Sequence, residues 1–364
     1  MFDQMNELFT SRYNEFTRDL LVNFSKDKGN TVLSPCSILV LLCMAAELTD
    51  TETKEQILNI ISKDCSYDEV KDAISELTRE LSKDPTMRVA NALCINAKIA
   101  DTIKEDFKDN LTKDFDAKIF DSKNIVNDVN KWVSEKTKGM IKQIADPSMK
   151  SMLACLMNAV CFDAKWQEPY EEYDICKDDF TNYDGSVSEV TMMSSSEYGY
   201  IKNERLQGFV KPYKGNRYSF MALLPKKISY DELLDCLKDL DFSKLFKEKQ
   251  NTEVKVDMPE FKHDFSKNLT EYLEKLGMKK IFTPSADFSP MTDEWIKAEG
   301  IIHKAHIEVD RKGTKAAAVT AMVMPDGCAP DFDIPSVRLD RQFIYAIMNN
   351  ETGLPVFAGI TAKI

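Results

Sequence analysis

Apolar residues at Leu8, Phe9, Tyr13, Phe16, Leu20 and Phe24 recur at helical spacing, so residues 6 to 24 read as an amphipathic first helix. A polar turn from Lys26 to Gly29 follows, then a short extended stretch, Thr31-Val32-Leu33. Ser34-Pro35 then supplies an N-cap followed by proline at the first helical position. The helix this opens, Ser37 to Ala46, is apolar almost all round and has to be central. Residues 51 to 62 and 67 to 82 carry alternating charge and read as exposed amphipathic helices. Val89 to Ala97 suits a strand and Ile103 to Asp114 a helix. Val126, Val129, Val133, Met140 and Ile144 mark one long surface helix.

Leu153 to Phe162 is apolar and strand-like but has Asn158 in its middle. A buried amide costs a few kcal/mol, roughly, unless it is hydrogen-bonded, so Asn158 demands a specific polar partner. Beyond residue 180 the pattern turns to strands: Arg217 to Leu224, Thr252 to Met258, Ile302 to Val309, Phe343 to Met348 and Leu354 to Ile360. One helix interrupts them, Ser266 to Leu276, capped by Ser266 and stopped by Gly277. Helices early and strands late, without β-α-β-α alternation, indicate an α+β fold with antiparallel or mixed sheets. No linker long enough to divide domains is visible between residues 1 and 300, and no internal repeat.

Composition narrows the function. The chain has 364 residues, 48 Lys and Arg against 60 Asp and Glu, and a net charge of −12. That balance opposes any broad nucleic-acid or anionic-membrane surface, which would need cations to release counterions. Only twelve glycines and three histidines are present, and the glycine-rich phosphate and dinucleotide motifs, the G-x-S-x-G elbow and H-E-x-x-H are all missing. No histidine has a serine or cysteine placed beside it by a motif, so no catalytic residue and no cofactor are expected. His303 and His306, three apart on a strand, point to opposite faces, and no metal site is expected there. Nine cysteines without C-x-x-C spacing read as free thiols and favour the cytoplasm, a secreted form with its leader removed being the alternative. The polar first residues carry no export signal. The longest apolar run, Ile38 to Ala46, is about half of the roughly twenty residues a membrane-spanning helix needs, so a soluble protein is expected.

The most unusual stretch is Gly313 to Asp333, GTKAAAVTAMVMPDGCAPDFD. It begins with small residues, has no proline before Pro325, and ends in a Pro/Asp/Gly/Cys cluster that suits a turn or open loop. As a strand it would place Thr314, Ala316, Ala318, Thr320 and Met322 on one face. An alanine-rich element without a special role would give the same run.

Here the sequence resembles the serpin family over essentially its whole length. The resemblance is carried by Asn30-Thr-Val-Leu-Ser34-Pro35-Cys-Ser37, Val129-Asn130-Lys-Trp132-Val133 with Thr137-Lys-Gly139-Met-Ile141, and Asn158-Ala-Val-Cys-Phe162-Asp-Ala-Lys165-Trp166. Further matches are Pro212-Tyr213-Lys-Gly-Asn-Arg, Leu276-Gly277 with Phe282 and Ala286-Asp-Phe-Ser289, His303-Lys304-Ala305, Gly313 to Ala318, Phe343, Pro355-Val-Phe357 and Gly359. The resemblance implies a single domain over 1–364 with about eight or nine helices, a central mixed sheet, further sheets, and an exposed reactive-centre loop at about 311–333. It also implies a metastable inhibitor. A target protease attacks the loop and forms an acyl ester, and the loop's amino-terminal half inserts into the central sheet before deacylation.

The same resemblance assigns roles. Gly313, Thr314, Lys315, Ala316, Ala317 and Ala318 form the hinge, with Thr314 the first side chain to be buried. Ser34, Ser37, Asn158 and His303 match a buried polar cluster, the shutter, where the strands part. Acids are frequent in the family where this chain has Arg311 and Lys315. The family's spacing of about fourteen residues past Gly313 puts the reactive bond at Gly327-Cys328, with Asp326 and Ala329 as alternatives. Cys328-Ala329 suits an elastase- or subtilisin-like pocket for small uncharged side chains, whereas Asp326-Gly327 suits an Asp-directed protease. The expected partner is a serine or cysteine endopeptidase. No heparin-type cofactor is expected, because residues 67 to 83 lack a basic stripe. The protein is expected to be a monomer able to form loop-sheet polymers, and a non-inhibitory chaperone, carrier or storage member is the rival class.

Overall fold

Glu7 to Phe24 forms the first helix, and its buried Tyr13, Thr17, Leu20 and Leu21 lie on the face that the apolar spacing marks. The structure, a computed structural model, describes residues 7–62, 66–314 and 334–364. Along the first part run α1 (Glu7–Phe24), β1 (Thr31–Leu33), α2 (Pro35–Leu48), α3 (Thr51–Ile61), α4 (Tyr67–Lys83), β2 (Met87–Ile95), α5 (Glu105–Phe115), β3 (Ala117–Phe120) and α6 (Ile125–Lys136). Then come β4 (Ala154–Phe162), β5 (Ala164–Lys165), β6 (Ile175–Thr181), β7 (Val187–Lys202), β8 (Leu206–Pro212), β9 (Tyr218–Pro225), α7 (Tyr230–Lys238) and α8 (Phe242–Lys247). The chain continues through β10 (Gln250–Pro259), β11 (Phe261–Asn268), α9 (Thr270–Lys275), β12 (Ala298–Asp310), β13 (Gly313–Thr314), β14 (Ser336–Arg338), β15 (Phe343–Asn349) and β16 (Pro355–Thr361). Helices dominate early and strands late, and the sheets are mixed, as the α+β reading expects.

Local chemistry explains most of the boundaries. Pro35 opens α2, whose residues 36 to 46 are all buried. Ser66 caps α4 through a reciprocal box with Glu69. Two expectations change. The helix expected to run on to Ile144 stops at Lys136, because Lys138 and Gly139 take positive φ (49° and 78°) and Gly139 N donates to Ser134 O (2.7 Å). Ile144 still reaches the core from the returning segment, which Asn130 holds: its Oδ1 accepts from Ile144 N (2.8 Å) and Ala145 N (2.9 Å). Ser266 is not a cap but a strand residue. Phe261, His263 and Phe265 are buried while Lys262, Asp264 and Ser266 are exposed, a period of two, and the short α9 begins only after Asn268 Oδ1 has accepted from Thr270 N and Oγ1. Helices α7 and α8 were not foreseen.

Two compact units are assembled from discontinuous segments. The first comprises residues 1–35, 163–263 and 307–364, and the second residues 36–162 and 264–306. In the first, β1-β16-β15-β9-β8-β7-β10-β14 form one hydrogen-bonded series, with β6 also paired to β7. Strands β9, β15 and β16 are buried throughout and carry an aromatic cluster: Tyr345 stacks on Phe220 (5.8 Å between centroids) and lies 5.2 Å from Phe261.

In the second unit β2 lies between β3 and β4, parallel to the first and antiparallel to the second, and β4 pairs in parallel with residues 298–306 of β12. One face of this sheet, with Ala90, Ala92, Cys94, Cys155, Met157 and Ala159, packs against Val126, Val129 and Val133 of α6. None of the helices among the described residues is long and apolar enough to cross a membrane. The seven described cysteines are free thiols, six of them buried and Cys176 exposed.

Candidate functional site

Two groups of residues carry the candidate function, one in each unit. In the first unit, β12 ends at Asp310 and turns through Arg311 and Lys312 into β13. Asp310 Oδ1 closes the turn by accepting from Lys312 N (2.7 Å) and Gly313 N (3.1 Å). Burial raises the Asp310 carboxyl above its ordinary range, and the two N–H donors pull the other way.

Gly313 and Thr314 pair antiparallel with Asp310 and Val309 on one side and with Lys165 and Ala164 of β5 on the other. The fit requires glycine: φ is +152°, and a Cβ there would lie 2.1 Å from Ala164 O. Thr314 is fully buried already, whereas the resemblance makes it a side chain awaiting burial. Its hydroxyl is 2.7 Å from Tyr213 Oη. Tyr213 in turn stacks on Trp166 (4.5 Å, 11°).

Trp166 ties this group to the turn, donating from Nε1 to Asp310 O (2.9 Å) and from its backbone N to Lys312 O (3.0 Å). Lys211 Nζ lies over the rings of Tyr170 (4.5 Å) and Trp166 (5.6 Å) and pairs at 2.5 Å with Glu197, both side chains nearly buried. Arg311 meets two acids: its N donates to Glu260 Oε1 (3.3 Å) and its guanidinium is 3.8 Å from Glu172. The Arg311 guanidinium thus has one carboxylate near it, Glu172, while Glu260 holds the backbone of the turn. Lys315, Ala316, Ala317 and Ala318 of the expected hinge and Asp326, Gly327, Cys328 and Ala329 of the expected reactive bond and its alternatives lie outside the described residues.

In the second unit, Asn91, Asn158 and His303 stand in register on the adjacent strands β2, β4 and β12, on the face turned away from α6. They form one chain of hydrogen bonds. His303 Nδ1 donates to Asn158 Oδ1 (2.9 Å), Asn158 Nδ2 donates to Asn91 Oδ1 (2.7 Å), and Asn91 Nδ2 donates to Phe115 O (2.8 Å). The amide in the middle of an apolar strand therefore has its partners, and one of them, Asn91, was missed. Ser37 is buried in the first turn of α2, and Ser34, which belongs to the first unit, is buried just before that helix. Groups of three or more His, Cys, Asp or Glu able to hold a metal do not occur among the described residues.

Burial pushes His303 down to about 3, so the ring is neutral in the folded chain near neutral pH. The unfolded chain, with an ordinary histidine near 6.5, binds the extra proton first. Its contribution to stability is therefore intact above about pH 6.5 and is lost as pH falls towards 3, by up to about tenfold in the folding equilibrium per pH unit. A His303→Gln chain is expected to lose that share of the acid slope when denaturant midpoints are compared at pH 7.5 and 5, and equal slopes for both chains would contradict it.

The comparisons with known proteins agree with this geometry. The family model described as Serpin (serine protease inhibitor) matches residues 11–364. The chain is 29% identical to Iripin-1 of Ixodes ricinus over 376 residues, covering 98% of this chain and 95% of that one. Its structure is similar to that of a thermophilic serpin, Tengpin, in the native state, with TM-score 0.89, 34% identity and coverage of 100% of this chain and 96% of the other. It also shares its fold with a thyroxine-binding globulin complexed with thyroxine, at TM-score 0.86, 22% identity and coverage of 97% and 98%. A family model spanning nearly every residue, on a fold that carries a two-residue strand at the base of the small-residue segment, identifies the chain as a member of the serpin family.

Proposed function

We propose that this serpin is a suicide-substrate inhibitor that traps an endopeptidase by inserting its cleaved loop into the sheet containing β4 and β12. One observation carries the reading: β13 is already a strand antiparallel to β12, and the small-residue run continues directly from it. Extended along β12, that run takes the place beside residues 298–306 that β4 now occupies. Thr314 to Met324 spans about eleven residues, roughly 36 Å at about 3.3 Å each, with no proline to interrupt the ladder. The bond between His303 and Asn158 crosses the seam that has to open.

In this reading the protease nucleophile attacks the carbonyl of Gly327 and the Cys328 amine leaves with the proton, giving an acyl ester that insertion then strands. Small uncharged residues around Cys328 and Ala329 favour an elastase- or subtilisin-like serine protease. Asp326 gives an Asp-directed enzyme as the second reading. The thyroxine complex of a fold relative keeps a carrier role as the non-inhibitory rival.

Incubation with elastase-, subtilisin-, cathepsin- and Asp-specific proteases is expected to yield a complex that survives denaturing electrophoresis. The cleaved chain is expected to melt at least about 10 °C higher, from roughly ten new ladder bonds at about 1 kcal/mol each. A nicked product with no complex and no rise in melting temperature across all four classes would defeat the inhibitory reading.

A further inference from the structure

A cavity of about 300 Å³ opens in the second unit near the first turn of α6, and its lining includes none of the residues of the two groups described above. Lys98, Lys123 and Lys150, all exposed, line its mouth, and Ile125, Met149 and Met152 its deeper wall. No carboxylate belongs to the lining, although the chain as a whole carries −12. None of the three lysines has an ion pair among the described residues.

The mouth is held in shape by Asn96. Its Oδ1 accepts from Lys98 N (3.1 Å), and its Nδ2 donates to Lys150 O and Met152 O (both 3.2 Å). On the other rim Ser122 accepts from Asn124 N (3.2 Å) and donates to Asp128, which engages that nearby carboxylate. Ile125, Met149 and Met152 also wall a smaller, enclosed space further in, lined by Cys94, Cys155 and Met157. Thioether side chains adapt readily to an inserted apolar group.

We propose that this cavity binds an amphipathic monoanion such as a medium-chain carboxylate, its head among Lys98, Lys123 and Lys150 and its apolar end against Ile125, Met149 and Met152. Its volume is at the small end of the range of about 300 to 1,000 Å³ found for small-molecule pockets, which suits a single short chain. A bare inorganic anion leaves the apolar wall uncovered. A neutral amphiphile gains nothing from the positive potential of the three ammonium groups.

Calorimetric titration of the full chain with decanoate below its micelle concentration tests this, with decanol and inorganic phosphate as separate arms. Decanoate is expected to bind saturably at one site, decanol at least about tenfold more weakly, and phosphate not measurably. In a Lys98→Gln/Lys123→Gln/Lys150→Gln chain, first shown by circular dichroism to fold, decanoate binding is expected to weaken about tenfold, from roughly half a kcal/mol per exposed ammonium, while decanol binding stays unchanged. The proposal is overturned by unchanged decanoate affinity in that chain, by decanol binding as tightly as decanoate, by phosphate binding as tightly as decanoate, or by no saturable decanoate binding at all.

Discussion

A Thr314→Arg chain is expected to be cut by its target protease at the wild-type rate and yet to retain almost none of it as covalent complex. Thr314 is fully buried, its hydroxyl bonded to Tyr213 and the Tyr213 ring stacked on Trp166. A guanidinium there would have to be desolvated close to aromatic rings that already face the Lys211 ammonium, whose own carboxylate partner, Glu197, is taken. The charge therefore drives β13 out from between β12 and β5, and insertion loses its starting pair. About 3 kcal/mol of lost preference for insertion over deacylation corresponds to a fall of roughly a hundredfold in the ratio of complex to cleaved product. Densitometry of denaturing gels measures the ratio directly. Thr314→Ser keeps the hydroxyl and is expected to inhibit normally. An arginine chain that forms complex as well as the wild type does would remove Thr314 from the mechanism.

Asn158→Ala is expected to lower stability by about 3 to 5 kcal/mol, because it strands two buried groups at once, the Nδ1–H of His303 and the Oδ1 of Asn91. With an unfolding entropy of about 2.1 cal/mol/K per residue, the thermal midpoint should fall by roughly 4 to 7 °C. Asn91→Ala strands Asn158 Nδ2 and the Phe115 carbonyl, and since the two variants share one bond, the double variant should cost clearly less than the sum. Scanning calorimetry of the four chains gives the coupling. Strict additivity would mean that the row of polar side chains does not act as a unit.

Much of the architecture could be read from periodicity because burial alone imposes it. The all-round apolar run after Pro35 could only be α2, and the amide of Asn158 demanded partners before any were known. Asn91 carried the same signal, one amide among Ala90, Ala92 and Leu93, but nothing in the sequence gives the register that sets it opposite Asn158. Ser266 misled because a serine ahead of Leu269, Tyr272 and Leu273 imitates a cap, while the alternation Phe261, His263, Phe265 that governs the segment is a strand signal. At the hinge, Gly313 and Thr314 were marked by resemblance. Their supports, Lys211 paired with Glu197, the Arg311 guanidinium beside Glu172 and the Arg311 N–H bonded to Glu260, are tertiary contacts with no local pattern to announce them.

The placement of the tryptophans makes the loop base optically visible. Trp166 is buried, bonded through its indole N–H to the turn and stacked on the tyrosine that holds Thr314, so any lengthening of β13 changes the field and the quenching around this one indole. Trp295, by contrast, is 87% exposed, and its emission can be suppressed with a water-soluble quencher. Trp132, the third indole, is half-buried beside Phe120, so in a Trp132→Phe chain, with the protease's own emission subtracted, stopped-flow emission is expected to time the start of the proposed insertion separately from cleavage.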